Sequence, residues 1–320
     1  MKTSHVGVVG LGLLGRGIAA CLLAHRVPVM AYAPTLTEFV HAREAIAIAI
    51  DELIEHAGFD PSLCETWRNL YTEAESIAWF APCDFVIESI TEDVEAKIGL
   101  FRQLEEVLAA GTPIASNTSS IPITLLQRTC KYPERVLGMH WSEPAYGTRI
   151  LELIRGEVTN DASLSAASEL ARRVEKDPCI VQQDLPGFIA NRLGYAMYRE
   201  ACSLLAGGVG DAETIDRAFR NSVGLWASIF GPFQWIDLTG GPALYGKAMT
   251  NVLPALSNAA EIPEPLATMM QQGYTGVRDG RGFYVYTPES AQRIEKTYRD
   301  HIWRVREAVN AAYPPDTKDE

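Results

Sequence analysis

Residues 5–20 read HVGVVGLGLLGRGIAA, and this stretch decides the fold. His5 to Val9 is a short run rich in valine. Gly10-Leu-Gly-Leu-Leu-Gly15 follows at once, and Ile18, Leu22 and Leu23 then fall at helical spacing. A Gly-x-Gly-x-x-Gly segment alone is a weak signal, but between a strand and a helix it marks a dinucleotide-binding turn. Gly10 permits the tight turn, Gly12 lets backbone amides approach a pyrophosphate, and Gly15 allows close helix–strand packing. The helix N-terminus adds partial positive charge where the phosphates would lie. Leu13 and Leu14 complete this cofactor loop.

The next expected strand, Val27 to Tyr32, departs from the fingerprint. An Asp or Glu should stand at its end to hold the ribose 2′-hydroxyl. Here the chain has Ala33-Pro34-Thr35, with no acid before Glu38 and no arginine placed to meet a 2′-phosphate. The hydroxyls of Thr35 and Thr37 suit either group. NAD is the expected cofactor because a 2′-phosphate would lack a compensating cation; NADP stays open.

Beyond that point the pattern alternates. A helix is expected over 37–56 with Thr35 or Thr37 as its cap, a strand over 85–89 ending in Glu88, and an amphipathic helix over 92–108 with Glu92 in its first turn. Strands over 112–115 and 135–139, another from Ile150, a helix over 161–175 and a late strand over 179–181 follow. The alternation predicts a doubly wound, mostly parallel α/β sheet. Pro186-Gly187 marks a turn, and only helical spacing follows it, over 188–206, 211–221, 244–256, 264–272 and 290–312. The expected organisation is therefore a dinucleotide-binding domain over 1–185 and an all-α domain over 186–320.

Composition narrows the function. Hydrophobic residues at 47% and charged residues at 21% of 320 fit a globular protein. A net charge of −12 argues against a nucleic-acid surface. The first apolar run is broken by glycines and Arg16, unlike a signal peptide, and no run is long enough to span a membrane. The six cysteines form no Cys-x-x-Cys pair; Cys21, Cys179 and Cys202 read as reduced core residues, so no structural metal is expected and the cytoplasm is the expected compartment.

Three side chains carry the expected chemistry: Ser119 in Ser116-Asn-Thr-Ser-Ser120, His140, and Glu152. Each follows or enters a strand-like run, where open α/β sheets gather their sites. A hydroxyl, an imidazole and a carboxylate are the parts of a proton-transfer site. Taken alone, the same residues also read as a polar turn and a core histidine. Glu88 and Glu92, near a strand end, are further candidates to contact the cofactor.

With these motifs in view, the chain resembles the L-3-hydroxyacyl-CoA dehydrogenase family over nearly its whole length. The resemblance rests on residues 10–19, Ser-Asn-Thr-Ser-Ser at 116–120, His140 with Glu152, Pro-Gly-Phe-Ile-Ala-Asn-Arg at 186–192, Gly231-Pro232-Phe233 and Gly280-Arg-Gly-Phe-Tyr284. It implies a Rossmann domain, a helical domain that makes a homodimer, and a site in the cleft between them. It implies that Ser119 holds the substrate oxygen, His140 is the catalytic base, Glu152 is its partner and Asn191 helps bind substrate. It also places Lys97 and Asn117 with Glu88 and Glu92 in the cofactor set. The chemistry agrees: oxidising a secondary alcohol needs a base for the hydroxyl proton, and a carboxylate on the other ring nitrogen steadies the imidazolium.

Departures bear on the substrate. The family commonly has His-Phe-Phe-Asn-Pro where this chain has His140-Trp-Ser-Glu-Pro144, so Glu143 replaces an asparagine beside the substrate. No lysine occurs between Ala33 and Lys97, a region that carries Asp51, Glu52, Glu55 and Asp60 instead. Such a flank suits a CoA poorly and favours a small hydroxy acid or an aromatic alcohol. Residues 120–124, 132–142 and 286–289 look like the formyl-hydroxy-methylpyridine-carboxylate dehydrogenase branch of the family, and the chain length suits its carnitine and gulonate branches. Arg149 and Arg192 are candidate anchors for a substrate carboxylate, and Trp141, Trp226, Phe230 and Trp235 are candidate pocket or core aromatics. A dehydrogenase acting on short-chain CoA thioesters, and a non-catalytic nucleotide-binding sensor or crystallin-like protein, are the alternatives.

Overall fold

Gly10 N–H donates to Tyr32 O at 2.9 Å and Ser89 N–H to Val9 O at 2.7 Å, so the ends of three strands meet at the glycine turn. The computed structural model describes residues 5–315. Two compact units emerge, one running to Asn191 and one spanning Arg192–Pro314.

The first unit is built on one eight-stranded sheet. Its strands are β1 (Val6–Val9), β2 (Val29–Tyr32), β3 (Tyr71–Glu73), β4 (Phe85–Glu88), β5 (Ile114–Ser116), β6 (Val136–Trp141), β7 (Ile150–Arg155) and β8 (Asp177–Val181). They lie in the order 3-2-1-4-5-6-7-8. The first six are mutually parallel, β7 runs antiparallel to β6, and β8 is parallel to β7. Strand order reverses between β1 and β4, the kind of switch point where α/β sheets open a crevice for ligands.

The unit's helices are α1 (Leu13–Ala24), α2 (Leu36–Ala57), α3 (Leu63–Thr66), α4 (Val94–Val107), α5 (Ile123–Gln127) and α6 (Asp161–Arg173). Two cores result, one on each face of the sheet. Ile18, Leu22 and Leu23 of α1, Ile46 and Ile50 of α2, and Leu164 and Leu170 of α6 join Val6 and Val8. Phe101 and Leu104 of α4 and Ile123 and Leu126 of α5 join Val9 and Val86. β1 alternates between the two because successive side chains point to opposite faces.

Three expectations change. Cys179 is exposed rather than in the core, because β8 is the sheet's edge strand; Cys21 and Cys202 are buried as expected. Glu92 lies outside α4: Asp93 is the N-cap, accepting from Ala96 N–H at 2.8 Å, which leaves the Glu92 carboxylate to other donors. His140 is within β6 rather than beyond it.

The second unit contains most of α7 (Ala190–Ala206), then α8 (Ala212–Asn221), α9 (Val223–Ala227), α10 (Pro232–Leu238), α11 (Gly241–Val252), α12 (Glu264–Gln271) and α13 (Pro288–Ala312). Trp226 and Trp235 stack at 5.0 Å, with Phe230 against Trp235. Among its described residues only Cys202 and Trp303 are buried hydrophobics. No helix of the described residues is long and apolar enough to cross a membrane.

Candidate active site

His140 and Glu152 are direct partners in the antiparallel β6–β7 pair. Opposed residues on such strands point to the same face with their Cβ atoms about 5 Å apart, so the register itself creates the dyad. His140 Nδ1 lies 2.8 Å from Glu152 Oε2. The carboxylate's other oxygen accepts Ile189 N–H and Ala190 N–H, each at 2.9 Å. Burial alone would raise the Glu152 pKa, but the His140 bond and then these two amides outweigh it and hold the carboxyl below its ordinary range. An ionised Glu152 fixes the proton on Nδ1, which leaves Nε2 as the basic nitrogen. Nε2 has no hydrogen-bond partner among the described residues. Phe188, buried and at positive φ, sets its ring 5.6 Å from the imidazole. Its place beside Gly187 in the Pro-Gly turn was the sequence signal for it.

The serine loop is organised by Glu92. One oxygen, Oε1, accepts the Thr118 hydroxyl at 2.6 Å, Ser119 N–H at 2.9 Å, and Ser120 N–H and hydroxyl at 3.0 Å. Partial burial opposes ionisation, yet the Thr118 bond, the Lys97 charge and the loop amides win and lower its pKa to about 2. Ser119 Oγ is 3.4 Å from the same oxygen, and Ser119 O accepts Asn191 Nδ2 at 3.5 Å. The structure thus brings Ser119 and Asn191 together, and Glu152 holds the segment from which Asn191 follows.

Glu88 and Lys97 lie behind this loop. They are 0% and 1% exposed and meet at 2.6 Å, with the Ser116 hydroxyl on the other Glu88 oxygen at 2.5 Å. The pair is enclosed by the fold, and Lys97 also reaches Glu92 Oε2 at 3.4 Å, which links it to the serine loop. Asn117 braces two strand ends: its Oδ1 accepts Trp141 N–H at 2.9 Å and its Nδ2 donates to Ser89 Oγ at 3.0 Å.

The glycine turn fits a pyrophosphate. Gly10 has φ 93°, and a Cβ there would stand 2.5 Å from Ser89 O; one on Gly15 would collide with Gly10 O, while one on Gly12 meets nothing within 4 Å. The open space lies where phosphates need backbone amides. Helix α1 has no side-chain cap and no acid in its first turn, so its amides remain available to an anion. Leu13 is exposed and Leu14 half-buried beside it. Thr35 is the N-cap of α2 in a capping box with Glu38.

The substrate candidates are placed unevenly. Arg149 is mostly buried and pairs with Asp177 at 3.7 Å. Glu143 keeps an exposed surface, yet partial desolvation of its carboxyl by neighbouring groups raises its pKa, and the Arg16 charge opposes this. Arg192 is exposed and belongs to the second unit. Trp141 is a core residue. Lys176, which no sequence motif singled out, is buried and donates to Ala145 O and Thr148 O, with its ammonium 5.3 Å from the Trp141 ring. It clamps the loop that carries Glu143. Among the described residues no cluster of acids, histidines and cysteines suits a metal ion.

Comparison with known proteins is consistent across the chain. The family model "3-hydroxyacyl-CoA dehydrogenase, NAD binding domain" matches residues 5–185, and that family's C-terminal domain matches 187–286. The 5-formyl-3-hydroxy-2-methylpyridine 4-carboxylate 5-dehydrogenase of Mesorhizobium japonicum is 31% identical over 91% of this chain and 93% of its own. An L-carnitine dehydrogenase from Oceanobacillus iheyensis is 28% identical over 97% of this chain and 99% of its own. The crystal structure of an FHMPC 5-dehydrogenase, described as an NAD+-dependent dismutase, aligns with TM-score 0.90 at 29% identity, covering 97% of this chain and 99% of that one.

Proposed function

The chain belongs to the 3-hydroxyacyl-CoA dehydrogenase family and is an NAD-dependent oxidoreductase acting on hydroxy compounds; from that premise we propose that its substrate is a small free hydroxy acid and that His140 moves the proton. The observation that carries this reading is the His140–Glu152 bond at 2.8 Å, with Nε2 left unpaired. NAD, when bound on the Gly10, Gly12, Leu13, Leu14 and Gly15 turn, supplies the hydride acceptor. His140 Nε2 takes the hydroxyl proton, and Glu152 stabilises the imidazolium. Ser119 Oγ and the Asn191 amide orient the substrate oxygen. In the reducing direction His140 returns the proton.

The free-acid reading draws on two features. The acids Asp51, Glu52 and Glu55 of α2 offer a poor landing surface for CoA phosphates. The relatives named above act, by their names, on a pyridine carboxylate and on carnitine. Arg149 and Arg192 are the proposed anchors for the substrate carboxylate, since a guanidinium forks onto a carboxylate with two hydrogen bonds. Initial-rate assays of NAD reduction with free 3-hydroxy acids, pyridine alcohols and 3-hydroxybutyryl-CoA test it. A higher kcat/KM for a free acid supports the proposal; a higher value for the thioester replaces it with the CoA reading.

We infer further that the enzyme is a cytoplasmic homodimer. Its six cysteines are all free, as a reducing compartment requires. The helical unit exposes Leu225, Phe233 and Val285 at 75%, 82% and 88%. A second copy seated on this unit would cover these side chains.

A further inference from the structure

The structure assigns to Glu38 the reading of the cofactor's adenosine ribose, a role the end of β2 lacks. Ala33, where the dinucleotide fingerprint expects an acid, presents only a buried methyl group. Glu38 stands five residues further along, but the capping box folds it back. Its Oε2 accepts Thr35 N–H at 3.1 Å and the Thr35 hydroxyl at 2.8 Å. The carboxylate therefore sits beside the backbone two residues after Ala33, at the mouth of the strand whose last carbonyl receives Gly10 N–H at 2.9 Å.

Hydrogen bonding separates Glu38 from Thr35. The Thr35 hydroxyl gives its proton to Glu38 Oε2 and accepts Glu38 N–H at 3.3 Å, so the cap uses it fully. Glu38 commits one oxygen only; Oε1 has no partner among the described residues. A carboxylate oxygen is a strong acceptor for a ribose hydroxyl and repels a phosphate at the same place. Arg43, the first arginine beyond β2, does not offset that repulsion, because it is held by both oxygens of Glu73 at 2.6 and 2.8 Å. Leu36, 74% exposed in the same turn, offers an apolar surface next to it. Glu38 is thus a specificity residue that selects NAD over NADP, independently of the substrate or of which residue moves the proton.

Glu38→Gln isolates the charge, because glutamine also completes a capping box. Calorimetric titration of the full-length protein with NAD, NADP, adenosine 2′,5′-bisphosphate and nicotinamide mononucleotide reads the effect without turnover. NAD should bind roughly tenfold more weakly, the loss of one charge-assisted hydrogen bond, and both 2′-phosphorylated ligands should bind more tightly. The mononucleotide constant and the melting temperature should stay put. Glu38→Arg should carry the preference further, to NADP. An NAD-to-NADP ratio unchanged in both variants overturns the assignment, as does a Glu38→Gln variant that loses all four ligands equally.

Discussion

His140 and Glu152 face each other across the antiparallel β6–β7 pair, 2.8 Å apart from Nδ1 to Oε2, and the remaining Glu152 oxygen ties down the amides of Ile189 and Ala190. One carboxylate thus orients the imidazole and anchors the segment that leads into Asn191. Glu152→Ala should lose both roles. Two partly buried amides would lose their acceptor, at about 0.5–1.5 kcal/mol each, lowering the midpoint of urea unfolding. Glu152→Gln should keep more of the stability, yet lower kcat by roughly two to four powers of ten through the wrong imidazole tautomer. Parallel urea titrations and steady-state rates check the split.

The buried pair beneath the serine loop should behave differently. Lys97→Met leaves Glu88 charged and without its cation in the core and should cost about 3–5 kcal/mol. Adding Glu88→Leu should restore part of that loss by removing the uncompensated charge, the remainder reflecting the Ser116 hydroxyl and Ile90 N–H that lose their acceptor and the Glu92 carboxylate that loses its cation. A double-mutant cycle in urea measures it.

Glu92 sets a pH dependence whose sign follows from its partners. Its folded pKa is lowered to about 2, below the ordinary 4.5. The stability it contributes is therefore complete above about pH 4.5 and is lost as pH falls toward 2. Glu92→Gln should flatten the unfolding midpoint between pH 5 and pH 3 relative to the parent. An equally steep decline in the variant would place that acid sensitivity elsewhere, Glu152 being the next lowered carboxylate.

Association is checked by mass. Light scattering at micromolar concentration should return twice the chain mass, and Phe233→Asp should shift the population toward monomer. Monomeric parent protein would contradict the dimer.

Much of this was legible in the chain. The glycine turn, β1, α1 and the strand-to-helix alternation were all readable, because valine-rich runs, glycine punctuation and helical spacing are local signals. β3 was not: Tyr71–Glu73 is a short edge strand, half-buried, with no alternation to betray it. The reversed direction of β7 was readable in principle. Only residues 142–149 separate it from β6, too few for a parallel crossover. That spacing also explains why His140 and Glu152 meet. Glu38 was hidden because the fingerprint directs attention to the strand end, whereas capping geometry returns a later residue to it. The burial of Glu88, Lys97 and Lys176 depends on distant segments, which no spacing rule reports.

On the proposed function, His140 carries the proton while cofactor binding is built elsewhere. The most direct test is His140→Gln, with NAD affinity measured by calorimetry beside kcat on the best substrate. The affinity should match the parent, and kcat should fall by roughly two to four powers of ten. Undiminished kcat with intact NAD binding would contradict it.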